Sequence, residues 1–124
     1  MAIKRIDLSW IIASDLKKSK DFFTNTLGLK IHSSSDEYNW LEVGGKDGGC
    51  ALGIGQQSDY QPDDKPGQNA VITFTVDDIV ETKKELESKG VKIDDIMVIE
   101  GHVKLASFTD FDGNKFQLAE CLSK

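Results

Sequence analysis

The chain has 124 residues, 39% of them hydrophobic and 29% charged, and this composition excludes collagen-like, intrinsically disordered and membrane-spanning proteins. The 21 acidic residues outnumber the 15 Lys and Arg residues, and the resulting formal charge of −6 makes nucleic acid and anionic membranes poor partners. The excess of acidic residues favours a cationic ligand, or it only keeps the protein soluble. The first residues do not resemble an apolar secretion signal, which predicts a cytoplasmic location.

The first half of the chain predicts a strand, a helix and three further strands. An apolar strand ends at Ala13, and Ser14 or Asp15 is suited to accept hydrogen bonds from the free N–H groups of the helix that follows. The helix carries an apolar stripe, runs to Leu27 and ends at Gly28, which adopts a left-handed conformation without strain. Three short strands are then predicted, the last two joined by a glycine-rich turn, at residues 29–32, 39–43 and 50–55.

The second half repeats this order after a polar linker. Residues 57–68 contain both prolines and are typical of a connection between two modules. An apolar strand is followed by a helix that Asp77 or Asp78 caps and that ends before Gly90. Three strands are predicted, the last two joined by an Asp-Gly hairpin turn, at residues 91–93, 103–109 and 115–121.

The two halves align as copies of one unit. Placing Asp15 on Asp78 matches the apolar positions of the two helices, and a gap of one residue then matches Gly28 to Gly90. Each copy is therefore predicted to have the element order βαβββ. We predict an α+β fold in which two βαβββ modules, residues 1–56 and 69–124, are joined by the linker 57–68 into one domain of residues 1–124.

This arrangement resembles the vicinal oxygen chelate superfamily, which includes glyoxalase I, extradiol dioxygenases and the bleomycin and fosfomycin resistance proteins. The resemblance covers nearly the whole chain and rests on residues 12–29, 76–91 and 108–118. The third segment resembles the Asp-Pro-Asp-Gly-Asn turn of the family, with Phe111 in the place of the proline. The resemblance implies that the two modules set their mixed sheets together as a cup whose concave side holds the site, and that the protein is a homodimer.

The alternation of side chains along each strand indicates which residues face the cup. Helix-facing residues must be apolar or small, as Ile11 and Ala13 are, so their neighbours face the other way. The direction of this assignment follows from the resemblance. It predicts a ligand-binding surface made of Leu8, Trp10, Trp40, Glu42, Val71, Thr73 and Gln117. On this surface Trp10 and Trp40 stack on a flat ligand or a cation, or instead fill the cup or a dimer interface.

Metal-dependent members of the superfamily place one ligand on each of four strands, commonly His or Gln, Glu, His and Glu. Carried over through the resemblance, these positions fall on or near Leu8, Gly53, Val71 and Gln117. Among them only Gln117 offers an oxygen donor, so we predict no metal ion and no other cofactor. The two histidines, His32 and His102, fall in an early strand and in a turn, and their roles stay open.

Glu42 is the candidate catalytic acid or base, because it lies among aromatic positions on a cup-facing strand. Alternatively its carboxylate is solvated near the rim or pairs with a lysine. No oxyanion donor accompanies it, and Cys50 has no histidine beside it that would make it a nucleophile. Cys50 and Cys121 lack the spacing of a zinc site and are expected to be free, in the core or at a strand edge.

Three functions remain open at this point. The preferred interpretation is a metal-free protein that resembles the bleomycin-resistance type and holds a small aromatic or cationic molecule in its cup or between subunits. The first alternative is a divergent glyoxalase-like lyase or isomerase that uses a divalent metal. The second is an assembly module whose cup is filled by its own side chains.

Overall fold

Two compact units, Met1–Gln68 and Asn69–Lys124, make up the chain in the computed structural model. The structure describes residues 7–59 and 65–122, so residues 60–64 of the predicted linker lie outside the described residues. Each unit contains a four-stranded mixed sheet and one helix, which confirms the predicted α+β fold. No helix in the described part of the chain has the length and apolar character that crossing a membrane requires.

The first unit has the predicted order of elements. They are β1 (Leu8–Ala13), α1 (Leu16–Asp21), β2 (Lys30–Ser35), β3 (Trp40–Gly45) and β4 (Gly48–Gln56). The strands lie side by side in the order β1-β4-β3-β2, with β1 parallel to β4 and the other pairs antiparallel. Helix α1 packs on β3 and β4. The buried residues on the helix side of this sheet include Ile11, Ala13, Leu41, Val43, Leu52 and Ile54.

A π-helical turn accounts for the extra residue of the first half. Helix α1 continues as a π-helix over Phe22–Thr26, in which the N–H of Leu27 donates to the carbonyl of Phe22 at 3.0 Å. A π-helical hydrogen bond encloses one residue more than an α-helical one, so the turn absorbs a single insertion. Gly28 then ends the helical segment with a φ of 77°, as predicted.

The second unit repeats this topology. Its elements are β5 (Ile72–Thr75), α2 (Ile79–Ser88), β6 (Met97–Ile99), β7 (Val103–Thr109) and β8 (Lys115–Cys121). The strand order is β5-β8-β7-β6, and β5 runs parallel to β8. Helix α2 packs on β7 and β8. The buried residues of this unit include Ile79, Leu86, Ala106, Phe108, Phe116 and Leu118.

The sixth strand was predicted in the wrong place. Residues 91–93 form no strand, and Ile93 makes only an isolated bridge to Phe108. The strand begins instead at Met97 and pairs with the start of β7. Asp94 still donates its backbone N–H to the Ser107 carbonyl of β7 at 2.9 Å. Aspartate disfavours strand geometry, and the regular strand begins in the apolar run beyond Asp95.

The repeat extends to the side chains that hold the helix starts. Asp15 and Asp78 cap the two helices as predicted. The amide oxygen of Gln56 also accepts a hydrogen bond from the first N–H of α1 at 2.8 Å, and the carboxylate of Glu120 does the same for α2 at 2.9 Å. Gln56 is the last residue of β4, which lies next to β1, and Glu120 is the second-last residue of β8, which lies next to β5. Each helix is therefore fixed to one side of its sheet.

Asp110 organises the turn between β7 and β8. Its Oδ1 accepts the backbone N–H groups of Asp112 and Asn114 at 3.0 and 2.9 Å, and its Oδ2 accepts the Asn114 side-chain amide at 3.0 Å. Burial raises the pKa of the Asp110 carboxyl, against these hydrogen bonds, which lower it. Gly113 has a φ of 80°, so the predicted Asp-Gly turn is confirmed.

Ser19 on α1 is fully buried, and its hydroxyl has no hydrogen-bond partner among the described residues. Ser19→Ala is expected to raise the free energy of unfolding by about 1 kcal/mol, because it removes an unpaired buried hydroxyl and introduces a better helix former. Urea denaturation measures the change. The repeat-equivalent control is Thr82→Ala, which loses a 2.8 Å hydrogen bond to the Asp78 carbonyl and should show no comparable gain. A less stable Ser19→Ala would contradict the prediction.

Candidate functional site

The face of the first sheet turned away from α1 carries the predicted site residues of the first unit. Along β1 and β3 these residues alternate with buried residues of the helix side. We call this surface the open face of the first sheet. It includes Leu8, Trp10, Trp40, Glu42, Gly53 and Gly55. The predicted orientation of Trp10, Trp40 and Glu42 within this unit agrees with the structure.

The two tryptophans form an aromatic pair over the glycines of β4. Their ring centroids are 5.7 Å apart and the rings are tilted by 58°. A Cβ added at Gly53 would lie 2.5 Å from Cζ2 and Cη2 of Trp40 and 3.0 Å from Cβ of Trp10. The absence of a side chain at Gly53 therefore lets both residues pack directly on the strand. Trp10 remains 45% exposed, which leaves much of its ring available to another molecule.

Glu42 is hydrogen-bonded to one member of this pair. Trp40 Nε1 donates to Glu42 Oε2 at 2.9 Å, which fixes the plane of the indole. Glu42 is half-buried, and no Lys, Arg or His nitrogen in the described residues lies within 4.0 Å of its carboxylate. The alternative of a lysine partner is therefore wrong for the described part of the chain. The role of Glu42 as an acid or base stays a prediction.

His32 also lies on the open face, which the sequence did not predict. The pairing of β2 with β3 shifts between Ile31 and Ser33, so His32 sits at a β-bulge. Its ring covers Gly44, where an added Cβ would overlap the imidazole. On this face a glycine therefore lies beneath each of two rings, Gly44 beneath His32 and Gly53 beneath Trp40. The glycine at position 44 is the feature of the sequence that could have indicated the position of His32.

The predicted site residues of the second unit lie together on its own sheet. Gln117 Nε2 donates to Thr73 Oγ1 at 2.8 Å, between the adjacent strands β8 and β5. Val71, just before β5, is 52% exposed. In the repeat Thr73 and Gln117 occupy the positions of Trp10 and Gly53. The second sheet is therefore polar where the first is aromatic.

A shallow recess of about 380 Å³ adjoins these residues. Its lining includes Val71 and Gln117 together with Ser107, Lys92 and Asp94, three residues that the sequence did not single out. Ser107 pairs with Gln117 and occupies the repeat position of Glu42, which pairs with Gly53. The second unit thus carries a neutral hydroxyl where the first carries a carboxylate.

Comparison with known proteins assigns the chain to a family. Residues 3–118 match the family described as Glyoxalase/Bleomycin resistance protein/Dioxygenase superfamily. The chain belongs to this superfamily. The resemblance inferred from the repeat, the capped helices and the Asp110 turn is thereby confirmed.

Three proteins of similar length resemble the chain throughout. It is 30% identical to the uncharacterized protein YetH of Bacillus subtilis (strain 168), with 95% of this chain and 99% of that protein covered. It is 28% identical to TnmS3, an antibiotic binding protein from Streptomyces sp. CB03234, with a TM-score of 0.83 and 98% of both chains covered. A superfamily member from Sphaerobacter thermophilus DSM 20745 is also 28% identical, with a TM-score of 0.83 and coverage of 97% and 99%.

The positions that metal-dependent superfamily members use do not fit a divalent ion in this chain. The side chains of Leu8 and Val71 carry no donor atom and Gly53 has no side chain, so the single oxygen of the Gln117 amide would have no companion ligand at these positions. No group of three or more His, Cys, Asp or Glu side chains comes together in residues 7–59 and 65–122. Cys50 and Cys121 form no disulfide with each other and are exposed, so neither is the core residue that was one of the predicted alternatives.

Proposed function

We propose that this protein binds a small aromatic or cationic molecule on the open face of its first sheet and does so without a metal. The observation that carries the proposal is the Trp10–Trp40 pair, which is packed on the glycines of β4 and partly exposed. An exposed aromatic surface held in one orientation binds flat molecules by stacking and cations by the charge distribution of its rings. The similarity to TnmS3, an antibiotic binding protein, supports a small-molecule ligand.

The fixed orientation of Trp40 supports ligand binding over the alternative in which the two tryptophans only fill the surface. Trp40 is held by its hydrogen bond to Glu42 and by the close approach of its ring to Gly53. A ligand therefore does not have to order this side chain, and the entropic cost of binding is lower. Trp10, with almost half of its surface exposed, supplies the apolar area that a ligand would bury.

Tryptophan fluorescence tests the proposal directly, because Trp10 and Trp40 are the only tryptophans of the chain and both lie on the open face. A panel of flat aromatic compounds and quaternary ammonium ions is expected to include members that quench the emission saturably. Calorimetry then gives the affinity. Light scattering gives the number of chains per particle, since the resemblance implies a homodimer.

Trp10→Ala is expected to weaken binding of the best panel member by about tenfold or more, because a stacked or cation–π contact is worth up to about 2 kcal/mol. The matched control is Phe111→Ala, which removes a ring of similar exposure, 43% against 45%, from the β7–β8 turn of the second unit. Equal affinity in Trp10→Ala and wild type would contradict the proposal. If no compound of the panel quenches the tryptophan emission saturably, the alternative in which the protein's own side chains fill the cup is favoured. If untagged protein retains one equivalent of metal through dialysis, the lyase or isomerase alternative is favoured.

A further inference from the structure

The Glu42 carboxylate has a free oxygen beside the aromatic pair. We propose that Glu42 selects the charge of the ligand, so that the open face takes a flat aromatic cation whose charged nitrogen lies next to Glu42 Oε1. This inference rests on the proposed function and deepens it, because it names the class of ligand. It assigns Glu42 a role in recognition rather than in acid or base chemistry.

The hydrogen bonding of Glu42 leaves half of the carboxylate available. Oε2 accepts the Trp40 indole N–H at 2.9 Å, whereas Oε1 has no hydrogen-bond partner among the described residues. An ionised carboxylate has capacity for about four hydrogen bonds. No Lys, Arg or His of the described residues pairs with this half-buried carboxylate. It is therefore a favourable place for a positive charge, since opposite charges in contact attract more strongly when they are partly removed from water.

The aromatic pair points to the same ligand charge as Glu42. The face of an indole ring carries negative electrostatic potential, so a cation is attracted by the two rings and by the carboxylate together. A neutral ring system stacks on Trp10 but covers the carboxylate without compensating for its lost hydration. An anion is repelled by both groups, and the formal charge of −6 adds to this preference at longer range.

The basic residues nearby do not neutralise Glu42. Lys30 pairs with Gly44 on the edge strand β2, and His32 covers the same glycine. Neither makes an ion pair with Glu42 in the described structure. The repeat-equivalent position of the second unit holds Ser107, so the second sheet has no carboxylate at this position.

Two methylated acridines of the same shape separate charge from stacking. 10-Methylacridinium is permanently cationic, and 9-methylacridine is studied at a pH where it is neutral. Calorimetry on the wild-type protein is expected to show the cation binding about 10- to 100-fold more tightly, because the Glu42 carboxylate and the indole rings attract its positive charge. Acridine-9-carboxylate is expected to bind more weakly than either.

Glu42→Gln is expected to abolish this preference. The amide oxygen can still accept the Trp40 N–H, so the indole keeps its partner while the charge is lost. Affinity for 10-methylacridinium should fall about 10- to 100-fold, and affinity for 9-methylacridine should stay the same or rise. The control Glu37→Gln removes an exposed carboxylate from the β2–β3 connection and should change neither affinity by more than about twofold.

The outcomes distinguish the inference from the proposed function. Equal affinity of the two methylated acridines for the wild-type protein would overturn the inference and leave the proposed function standing. No saturable binding of any acridine would count against both. A cation preference that survives in Glu42→Gln would show that another group selects the charge, and circular dichroism confirms that the variant is folded. If the variant does not fold, the comparison of the two methylated acridines on the wild-type protein still decides whether the open face selects a cation.

Discussion

Gly53→Ala is expected to weaken the binding of 10-methylacridinium by about tenfold or more while the protein stays folded. A Cβ at this position would lie 2.5 Å from two ring atoms of Trp40, far inside the separation at which carbon atoms attract. The indole must therefore move, and we expect this displacement to break the hydrogen bond from its N–H to Glu42 Oε2. The ligand then loses both an ordered stacking surface and an oriented carboxylate, and each tenfold loss of affinity corresponds to about 1.4 kcal/mol.

Gly55→Ala is the matched control for this substitution. Gly55 lies two residues further along β4 on the same face, and neither glycine has a positive φ. A Cβ at Gly55 would lie 3.4 Å from Trp40 and 3.5 Å from Trp10, which is ordinary van der Waals contact. Calorimetry should therefore give an affinity within about twofold of wild type for Gly55→Ala. Wild-type affinity in Gly53→Ala would show that the aromatic pair is not the binding surface.

The stability of Gly53→Ala should change much less than its affinity. Overpacking costs about 1–3 kcal/mol, but alanine also restricts the unfolded chain and returns about 0.4–1 kcal/mol. Trp40 can relieve the overlap by rotating into solvent, so we expect a loss near the lower end of this range. Tryptophan emission should shift toward longer wavelength in this variant, since the displaced indole becomes more exposed.

The repeat made the topology predictable. Asp15 and Asp78, each placed between an apolar strand and an amphipathic helix, fixed the start of both helices, and the structure confirms both caps. The one-residue gap between the copies was visible in the sequence, but its form as a π-helical turn was not. Local propensity does not distinguish an α-helical from a π-helical turn when the insertion is accommodated by packing.

The orientation of the site residues was predictable within each sheet, but their partners were not. Strand alternation placed Trp10, Trp40 and Glu42 on one face, and the family resemblance indicated that this face is turned away from the helix. The hydrogen bond of Trp40 to Glu42 and the position of His32 over Gly44 depend on rotamers and on a bulge. Neither follows from a pattern of period two.

Phe116→Ala is the substitution with the largest expected effect on stability, a loss of about 3–5 kcal/mol in the free energy of unfolding. Phe116 is 1% exposed and lies on β8, between β5 and β7. Its ring stacks on Phe74 at 5.5 Å and on Phe108 at 5.6 Å between centroids. Alanine would leave a cavity beside Phe74 and Phe108. The expected loss is a large part of the roughly 5–15 kcal/mol that stabilises a typical domain.

Urea denaturation with two probes measures this loss and also tests the predicted single domain. Both tryptophans lie in the first unit and Phe116 lies in the second, whereas far-UV circular dichroism reports on both. A unit of about 60 residues buries only roughly 60% of the surface of its unfolded chain, so we expect the units to unfold together and both probes to show the same lowered midpoint. The control is Phe111→Ala, which removes an exposed ring. Its free energy of unfolding should stay within about 0.5 kcal/mol of the wild-type value. An unmoved fluorescence transition in Phe116→Ala would show two independently folding units, because damage to the second core would then leave the first sheet intact.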